Sequence, residues 1–289
     1  MKGKHVTASA VRAACLLLAC SLALAPCGCA PRRVPGYRGK VKGSGSTTLL
    51  PVAQEAAVQF TALNPAAKVE IQGGGSSVGI AQLEQGVVDL VNSSRDLNPG
   101  EGGGRLVDFK VAFDVIALVV NPANPVRNLT GEQVRAIFTG GFTNWKDVGG
   151  PDREIVVVVR DQASGTREMF DRKALGATAD RRVLCVASAI ESASNGVVRE
   201  VVAATAGAVG YVSSGYVNDR IKALRLDGVA PGRKAAASGR YPLARFLHMI
   251  TMGRPEGALK GYIDLVLSDD FQREIVATEY IPVKDVMKE

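Results

Sequence analysis

Residues 156–168 read Val156-Val157-Val158-Val159-Arg160-Asp161-Gln162-Ala163-Ser164-Gly165-Thr166-Arg167-Glu168. The four valines predict a strand that is buried on both faces, as in the parallel sheet of an α/β protein. A serine or threonine followed by a glutamate in the first turn is typical of a helix start, so we expect a helix to begin near Ser164. The stretch therefore predicts a strand that stops at Arg160 and leads directly into a helix.

The start of that helix has the chemistry of an anion site. The first N–H groups of a helix have no partner within it, and they carry a partial positive charge. Ser164 and Thr166 add hydroxyl donors, Gly165 lets the backbone come close, and Arg160 supplies a guanidinium from the strand end. This set suits a tetrahedral oxyanion, and a plain helix cap beside a surface arginine is the alternative.

Three earlier strand ends are also followed by small hydroxyl-bearing residues. In open α/β sheets, ligands bind beyond the carboxyl ends of the strands, so we expect all four ends to converge on one site. The three segments are Gly43-Ser44-Gly45-Ser46-Thr47-Thr48, Gly73-Gly74-Gly75-Ser76-Ser77 and Asn92-Ser93-Ser94-Arg95.

Periodicity assigns the main elements of the rest of the chain. We expect a strand over residues 87–92, two separate strands over 109–113 and 115–120, and a loop over 235–239. Thr130 is expected to cap a helix, and residues 246–252 to form a strand.

The first 29 residues are typical of a secretory leader. Lys2, Lys4 and Arg12 precede an apolar run from Ala13 to Ala25, which is too short for a comfortable membrane span. A linker with proline and glycine is predicted over residues 30–39.

Four of the five cysteines lie in this leader, so the body of the chain, with Cys185 alone, can form no intrachain disulfide. A cysteine just after an apolar leader resembles the lipobox of bacterial lipoproteins. Cys29 is the predicted lipidation site, with Cys27 and Cys20 as alternatives. Secretion without a lipid also stays open.

Charge and motifs exclude several classes of function. The leader holds three basic and no acidic residues, so the formal charge falls from +7 to +4 without it, and nucleic-acid binding is not indicated. No Cys/His pattern typical of a metal site and no cofactor motif is present in the sequence. Gly75-Ser76-Ser77-Val78-Gly79 has the wrong glycine spacing for a nucleophile elbow, and His248 lies in an apolar strand. Hydrolysis of phosphate or acyl esters is therefore only a remote alternative, and an enzyme is not expected.

Together the motifs resemble those of the extracytoplasmic phosphate-binding proteins that serve ABC-type phosphate importers. The resemblance covers roughly residues 40–280. The motifs that carry it are the three hydroxyl-rich segments, Arg160…Ser164-Gly165-Thr166-Arg167-Glu168, Leu129-Thr130…Ile137-Phe138-Thr139-Gly140…Asn144-Trp145, Gly207-Ala208-Val209-Gly210-Tyr211-Val212, and Tyr241-Pro242-Leu243…Leu265-Val266-Leu267-Ser268.

The resemblance implies an α/β, two-lobed periplasmic-binding-protein fold of the type II-like kind, with the ligand in the cleft between lobes joined by two crossovers. Residues 40–120 plus 242–289 would form lobe 1 and residues 121–241 lobe 2. The crossovers would fall near residues 121–125 and 237–241. Hinge closure would enclose the ligand.

The resemblance also implies a function and partners. The chain would bind inorganic phosphate in the periplasm, or at the outer face of the cytoplasmic membrane, as a lipid-anchored monomer. It would deliver phosphate to the transmembrane permease subunits of an ABC importer. Another tetrahedral oxyanion, such as sulfate, molybdate or tungstate, is the alternative ligand.

Residue by residue, the resemblance assigns ligand contacts. The assigned residues are Ser46, Thr47, Thr48, Ser76, Ser94, Arg160, Ser164, Gly165 and Thr166, with Ser77, Arg95 and Asn195 as further candidates. One position departs from the best-known members, which have an aspartate where this chain has Ser94. That aspartate accepts a hydrogen bond from protonated phosphate, whereas a serine can donate or accept and discriminates less against sulfate. Asp161 and Asp89 are the carboxylates we consider as substitutes.

Overall fold

The computed structural model describes residues 36–178 and 181–287, which belong to one compact unit that begins at Gly36. The predicted leader and its cysteines Cys29, Cys27 and Cys20 lie outside these residues. Within the described residues, no helix is both long and apolar enough to cross a membrane.

The described part of the chain alternates strands and helices. The strands are β1 (Gly39–Gly45), β2 (Ala67–Ile71), β3 (Leu90–Ser93), β4 (Leu106–Val120), β5 (Asn128–Leu129), β6 (Val156–Arg160), β7 (Ile190–Ser192), β8 (Ala208–Ser213), β9 (Lys222–Ala223), β10 (Arg225–Leu226) and β11 (Ala244–Met252). The helices are α1 (Leu50–Leu63), α2 (Ser76–Glu84), α3 (Gly131–Thr139), α4 (Gly165–Lys173), α5 (Asn195–Ala204), α6 (Arg233–Ala237), α7 (Gly257–Leu267), α8 (Asp269–Phe271) and α9 (Ala277–Glu279).

Strand directions bring the ends of both halves of the main sheet to its centre. The order is β2-β1-β3-β11-β4-β8-β6-β7, and β9 also pairs with β4. Strands β1 and β3 run parallel to β4, whereas β8, β6 and β7 run against it. Because β11 pairs with residues 106–115 of β4 and β8 with residues 116–120, the carboxyl ends of the two sets point towards each other near the middle of β4.

The prediction of two separate strands over 109–113 and 115–120 is wrong, because both ranges lie in β4. The structure has one strand of 15 residues, and Asp114 lies within it. It is continuous because β11 supplies hydrogen-bond partners to its first part and β8 to its last. Residues 116–120 therefore pair within the second half of the sheet.

Two other boundaries differ from the sequence-based expectation. Strand β3 begins at Leu90 rather than at residue 87, because the Asp89 carboxylate accepts a hydrogen bond from the backbone N–H of Lys42 and Val87 N–H bonds back to Gln82. The expected loop over 235–239 is wrong, since its first part lies in the short helix α6. The predicted helix at Thr130 is confirmed, with a capping box to Gln133.

Each half of the sheet has its own apolar core. The first includes Val41, Phe60 and Tyr262, all buried between α1, α7 and the strands. The second is built around Phe138, Trp145, Phe170 and Tyr211, and the Phe170 and Tyr211 rings stack at 3.9 Å. Separate apolar clusters on the two halves are what a pair of lobes requires.

A substitution at Trp145 tests the packing of the second core. Its side chain is fully buried and its Nε1–H donates to Gly207 O at 2.9 Å. Trp145→Ala leaves a large cavity, so we expect the free energy of unfolding to fall by about 3–5 kcal/mol, measured by circular dichroism in denaturant. Val58→Ala, at a position 65% exposed, should change it by no more than about 0.5 kcal/mol. Equal effects of the two substitutions would contradict this packing.

Cys185 tests the local environment of α4. Burial raises the pKa of its thiol to about 11. Because only the thiolate reacts, we expect iodoacetamide to alkylate Cys185 at pH 7 far more slowly than it alkylates the unfolded chain, and the rate to climb towards pH 11. The measurement uses a chain in which the leader cysteines are replaced by serine. Equal rates in the folded and unfolded chain would contradict the raised pKa of this half-buried thiol.

Candidate oxyanion-binding site

The four hydroxyl-rich segments meet where the strand ends converge. All nine residues assigned as contacts by the sequence are buried there, and so is Asn195. The burial shows a closed arrangement, in which residues from both halves of the sheet contact each other.

The turn after β1 is built by Gly45. Its φ is +121°, and a Cβ there would lie 2.2 Å from Asn92 O, so only glycine fits. Ser46 N–H donates to Asn92 O at 2.7 Å, and Ser46 Oγ accepts from Thr48 N–H at 3.1 Å. These bonds fix the backbone that carries the hydroxyls of Thr47 and Thr48.

Helix α2 begins against the loop that precedes α4. A Cβ on Gly75 would lie 2.6 Å from Ala163 O, and Ser77 N–H donates to that oxygen at 3.1 Å. Ser76 Oγ accepts from Ser94 N–H at 3.1 Å and lies 3.3 Å from Ser94 Oγ. The first turn of α2 and the end of β3 are thereby held next to the start of α4.

Arg160 is anchored on one side only. Its Nε donates to Ser192 O at 3.1 Å and its Nη2 to Ala193 O at 3.0 Å, while Nη1 has no hydrogen-bond partner among the described residues. Burial lowers the pKa of this guanidinium, and the nearby Asp161 opposes that shift. An arginine stays protonated at physiological pH, so Arg160 offers a fixed positive charge.

The start of α4 is confirmed as a capped helix end. Ser164 Oγ accepts from Arg167 N–H at 3.2 Å. A Cβ on Gly165 would lie 2.5 Å from Ser76 Oγ and 2.9 Å from Ser94 Oγ, so glycine permits α4 to approach both serines. Thr166 Oγ1 lies 3.0 Å from Thr48 Oγ1, across the two halves of the sheet.

Asn195, at the start of α5, joins the same cluster. Its Nδ2 donates to Thr48 Oγ1 at 3.0 Å and to Thr47 Oγ1 at 3.4 Å. Its Oδ1 accepts from Ser213 N–H at 3.1 Å. The amide therefore links the first half of the sheet to β8.

Sequence reasoning missed two charged residues at the centre of the cluster, Asp114 and Arg245. Both are buried, and Arg245 Nη2 lies 2.9 Å from Asp114 Oδ2. Arg245 also donates to Ser94 O and to Thr166 Oγ1, each at 2.9 Å. The available signal was a charge within an otherwise apolar strand, as in Phe113-Asp114-Val115 and Ala244-Arg245-Phe246.

Ser77 and Arg95 lie next to the cluster but have protein partners. The Arg95 guanidinium contacts carboxylates of Glu101 and Glu168, each at 2.7 Å, and donates to Ser77 Oγ at 3.2 Å. This buried arginine ties the segment after β3 to α4. Ligand contact by Ser77 or Arg95 stays a prediction.

The two carboxylates considered as substitutes for the missing aspartate lie in different places. Asp89 is exposed at the start of β3, at the end of the strand opposite Ser94. Asp161 follows Arg160 directly, and its Oδ1 is buried with no hydrogen-bond partner in the described part of the chain. Of the two, only Asp161 is near the site.

The arrangement supplies many donors and the positive charge of Arg160, whereas the charge of Arg245 is paired with that of Asp114. Hydroxyls, the N–H groups at the starts of α2 and α4, and Arg160 surround the convergence point. Both oxygens of Asp114 are already engaged as acceptors. Within the described residues, no cluster of three or more His, Cys, Asp or Glu side chains could hold a metal ion. Such a site fits a tetrahedral oxyanion.

Comparison with known proteins agrees with this geometry. Residues 31–270 match the family model described as a PBP superfamily domain. The phosphate-binding protein PstS of Bacillus subtilis (strain 168) is 36% identical over 252 residues, which cover 86% of this chain and 82% of the relative. PstS of Borreliella burgdorferi is 28% identical over 249 residues, which cover 83% of this chain and 88% of the relative.

Solved structures give the same result. A phosphate ABC transporter substrate-binding protein from Clostridium perfringens with bound phosphate superposes with a TM-score of 0.79 and 33% identity, over 85% of this chain and all of that one. An ABC-type phosphate transport receptor from Vibrio cholerae superposes with a TM-score of 0.71 and 34% identity, over 84% of this chain and 100% of that one.

The fold and the site thus define a two-lobed solute-binding protein. The chain belongs to the PBP superfamily, within its family of phosphate-binding proteins. The predicted family and the predicted two-lobed fold are confirmed. The predicted lobe boundaries and ligand contacts stay predictions.

Gly165 offers a test of the closed arrangement. Gly165→Ala places a methyl group against Ser76 and Ser94, so α4 cannot approach them without a shift. Overpacking costs about 1–3 kcal/mol, so we expect oxyanion affinity to fall about fivefold to a hundredfold in calorimetric titrations with phosphate, sulfate and molybdate. Gly232→Ala, where a Cβ meets nothing within 4 Å, is the control. Unchanged affinity in Gly165→Ala would rule out this packing in the bound state.

Proposed function

We propose that this chain binds inorganic phosphate outside the cytoplasm and delivers it to the membrane subunits of an ABC-type phosphate importer. The observation that carries the proposal is the convergence of buried hydroxyls and helix starts from four strand ends on Arg160. Relatives named as phosphate-binding proteins and a neighbour solved with bound phosphate support the same ligand.

The contacts we propose follow the sequence-based assignment. Arg160 Nη1 and the N–H groups of Gly165 and Thr166 face the anion from the second half of the sheet. The hydroxyl-bearing turns supply the rest. The residues of the first half are Ser46, Thr47, Thr48, Ser76 and Ser94, and Ser164 joins from the second half.

Binding energy of this kind is sufficient for capture at low concentration. A hydrogen bond to a charged group contributes on the order of 1.5–3 kcal/mol. A micromolar dissociation constant needs about 8 kcal/mol, and association and closure cost several more. About eight such bonds therefore support micromolar or tighter binding.

The lobe boundaries belong to the same proposal, with one adjustment. We place lobe 1 at about residues 40–120 plus 242–289 and lobe 2 at residues 121–241, as the sequence predicts. Since residues 116–120 pair with β8, the first crossover fits better inside β4, near Asp114, than at residues 121–125. The return at residues 237–241 leads directly into β11.

Localisation and assembly remain parts of the proposal. We infer an extracytoplasmic protein, in line with its relatives, with lipid attached at Cys29 or else at Cys27 or Cys20. We further propose a monomer that acts as a binding protein and not as an enzyme. Among the residues described near the hydroxyl cluster we see no histidine placed as a base, since His248 of β11 is bonded to Asp108 of β4.

Another oxyanion is the second candidate ligand, and a specific observation favours it. The carboxylate at the centre of the site, Asp114, is fully engaged, so the centre offers donors and no free acceptor. Such a centre accepts a fully ionised anion as readily as a protonated one. We propose that the carboxylate of Asp161 restores a preference for phosphate over fully ionised anions.

Calorimetric titration tests the ligand. Protein stripped of bound anion is titrated with phosphate, sulfate and molybdate between pH 5 and 9. We expect phosphate to bind with micromolar or lower dissociation constant. Arg160→Ala should weaken binding about tenfold to a hundredfold, because a charge-assisted bond is lost.

The matched control is Arg273→Ala, which removes an arginine 69% exposed on the surface. It should leave the affinity unchanged. Sulfate or molybdate binding more tightly than phosphate would assign the site to that anion, and no binding by any of the three would refute the proposed function.

A further inference from the structure

Arg245 lies at the centre of the site without a role in the contacts proposed above. Its side chain is 1% exposed and that of its partner, Asp114, is fully buried. The pair joins β11 to the middle of β4, where the two halves of the sheet meet. A buried ion pair is weak evidence for stability, so a role in the site is worth testing.

Asp114 fixes the position of the guanidinium. Its Oδ2 accepts from Arg245 Nε at 3.2 Å and from Nη2 at 2.9 Å, and its Oδ1 accepts from Ser213 Oγ at 2.7 Å. Arg245 Nη1 is held by Ser94 O at 2.9 Å. All three nitrogens of the guanidinium are therefore bound within the protein.

The second N–H of Arg245 Nη2 faces two hydroxyls. Nη2 donates to Thr166 Oγ1 at 2.9 Å and, at the longer distance of 3.4 Å, to Thr48 Oγ1. A guanidinium can only donate, so both threonine oxygens must accept. Thr48 Oγ1 also accepts from Asn195 Nδ2, whose orientation is fixed because Asn195 Oδ1 accepts from Ser213 N–H.

These bonds determine where the hydroxyl protons point. A hydroxyl has two lone pairs and one proton. Both lone pairs of Thr48 are occupied, so Thr48 must donate to Thr166 Oγ1, 3.0 Å away. Thr166 then accepts from Arg245 and from Thr48, and its own proton must point away from both.

We propose that Arg245 is a positioning residue of the anion site: held by Asp114, it orders the hydroxyls of Thr48 and Thr166 so that Thr166 always donates to the ligand. The inference rests on the proposed function. An oxygen of the anion with a free lone pair must then face Thr166. Arg245 acts through the hydroxyls and does not itself touch the anion.

A double-mutant cycle tests this order. Thr166→Val removes the hydroxyl and keeps the shape, and we expect it to weaken phosphate binding about tenfold to a hundredfold. The second arm of the cycle uses the double variant Asp114→Asn with Arg245→Gln, in which the Thr166 hydroxyl is free to turn. Adding Thr166→Val to this double variant should lower phosphate affinity less than about threefold. Changing both partners together avoids leaving one buried charge alone.

Controls separate positioning from support of the fold. Thr166→Ser restores a hydroxyl and should recover part of the phosphate affinity that Thr166→Val loses. Arg233→Gln, on an exposed residue of α6, is a control background. There the fold loss of phosphate affinity caused by Thr166→Val, called the Thr166→Val factor, should be the same as in the wild-type chain. Thermal unfolding of each variant reports stability separately, and a purely structural role of Arg245 would lower stability without changing that factor.

A second background keeps the test decisive if the Asn/Gln pair does not fold. Arg245→Lys keeps the charge but has one donor nitrogen, which cannot serve Asp114, Ser94 and Thr166 together, so the Thr166→Val factor should shrink there too. An equal factor in all backgrounds would overturn the inference and leave the proposed function intact. A wild-type chain that binds no phosphate would instead overturn the proposed function, and this inference with it.

Discussion

The rest of the structure depends on one constraint: the carboxylate of Asp114 is buried away from water and needs partners. It lies in the longest strand, at the point where the partner strand changes from β11 to β8. A buried charge must be paired and hydrogen-bonded, and Arg245 and Ser213 meet that demand from the two halves of the sheet. The same pair lies beneath the hydroxyls of the site, so the packing of the two halves and the order of the site have a common origin.

The anion site proposed around this pair contains few charges. Among the proposed contacts, Arg160 supplies the guanidinium, whose Nη1 is not bonded to protein among the described residues, and the other donors are hydroxyls and backbone N–H groups. Neutral donors in a buried setting hold an anion firmly because they cannot be screened by water. They also cost less to bury than a cluster of cations would.

The sequence predicted the local elements better than the pairing of distant strands. The Val156–Arg160 strand, the helix start at Ser164 and the convergence of hydroxyl-rich turns all follow from local patterns, since caps and buried strands have local signatures. The single long β4, the late start of β3 and the helix α6 do not, because each depends on partners distant in the chain. Asp114 and Arg245 were missed for the same reason: they are 131 residues apart, and only the pairing of β11 with β4 brings them together.

The most direct test of this account is a crystal structure of the protein grown with phosphate. The account predicts phosphate oxygens within hydrogen-bond distance of Arg160 Nη1, Thr166 Oγ1 and the first N–H groups of α4, with Arg245 still bound to Asp114. Phosphate bound elsewhere, or Arg245 turned from Asp114 to contact the anion itself, would contradict it.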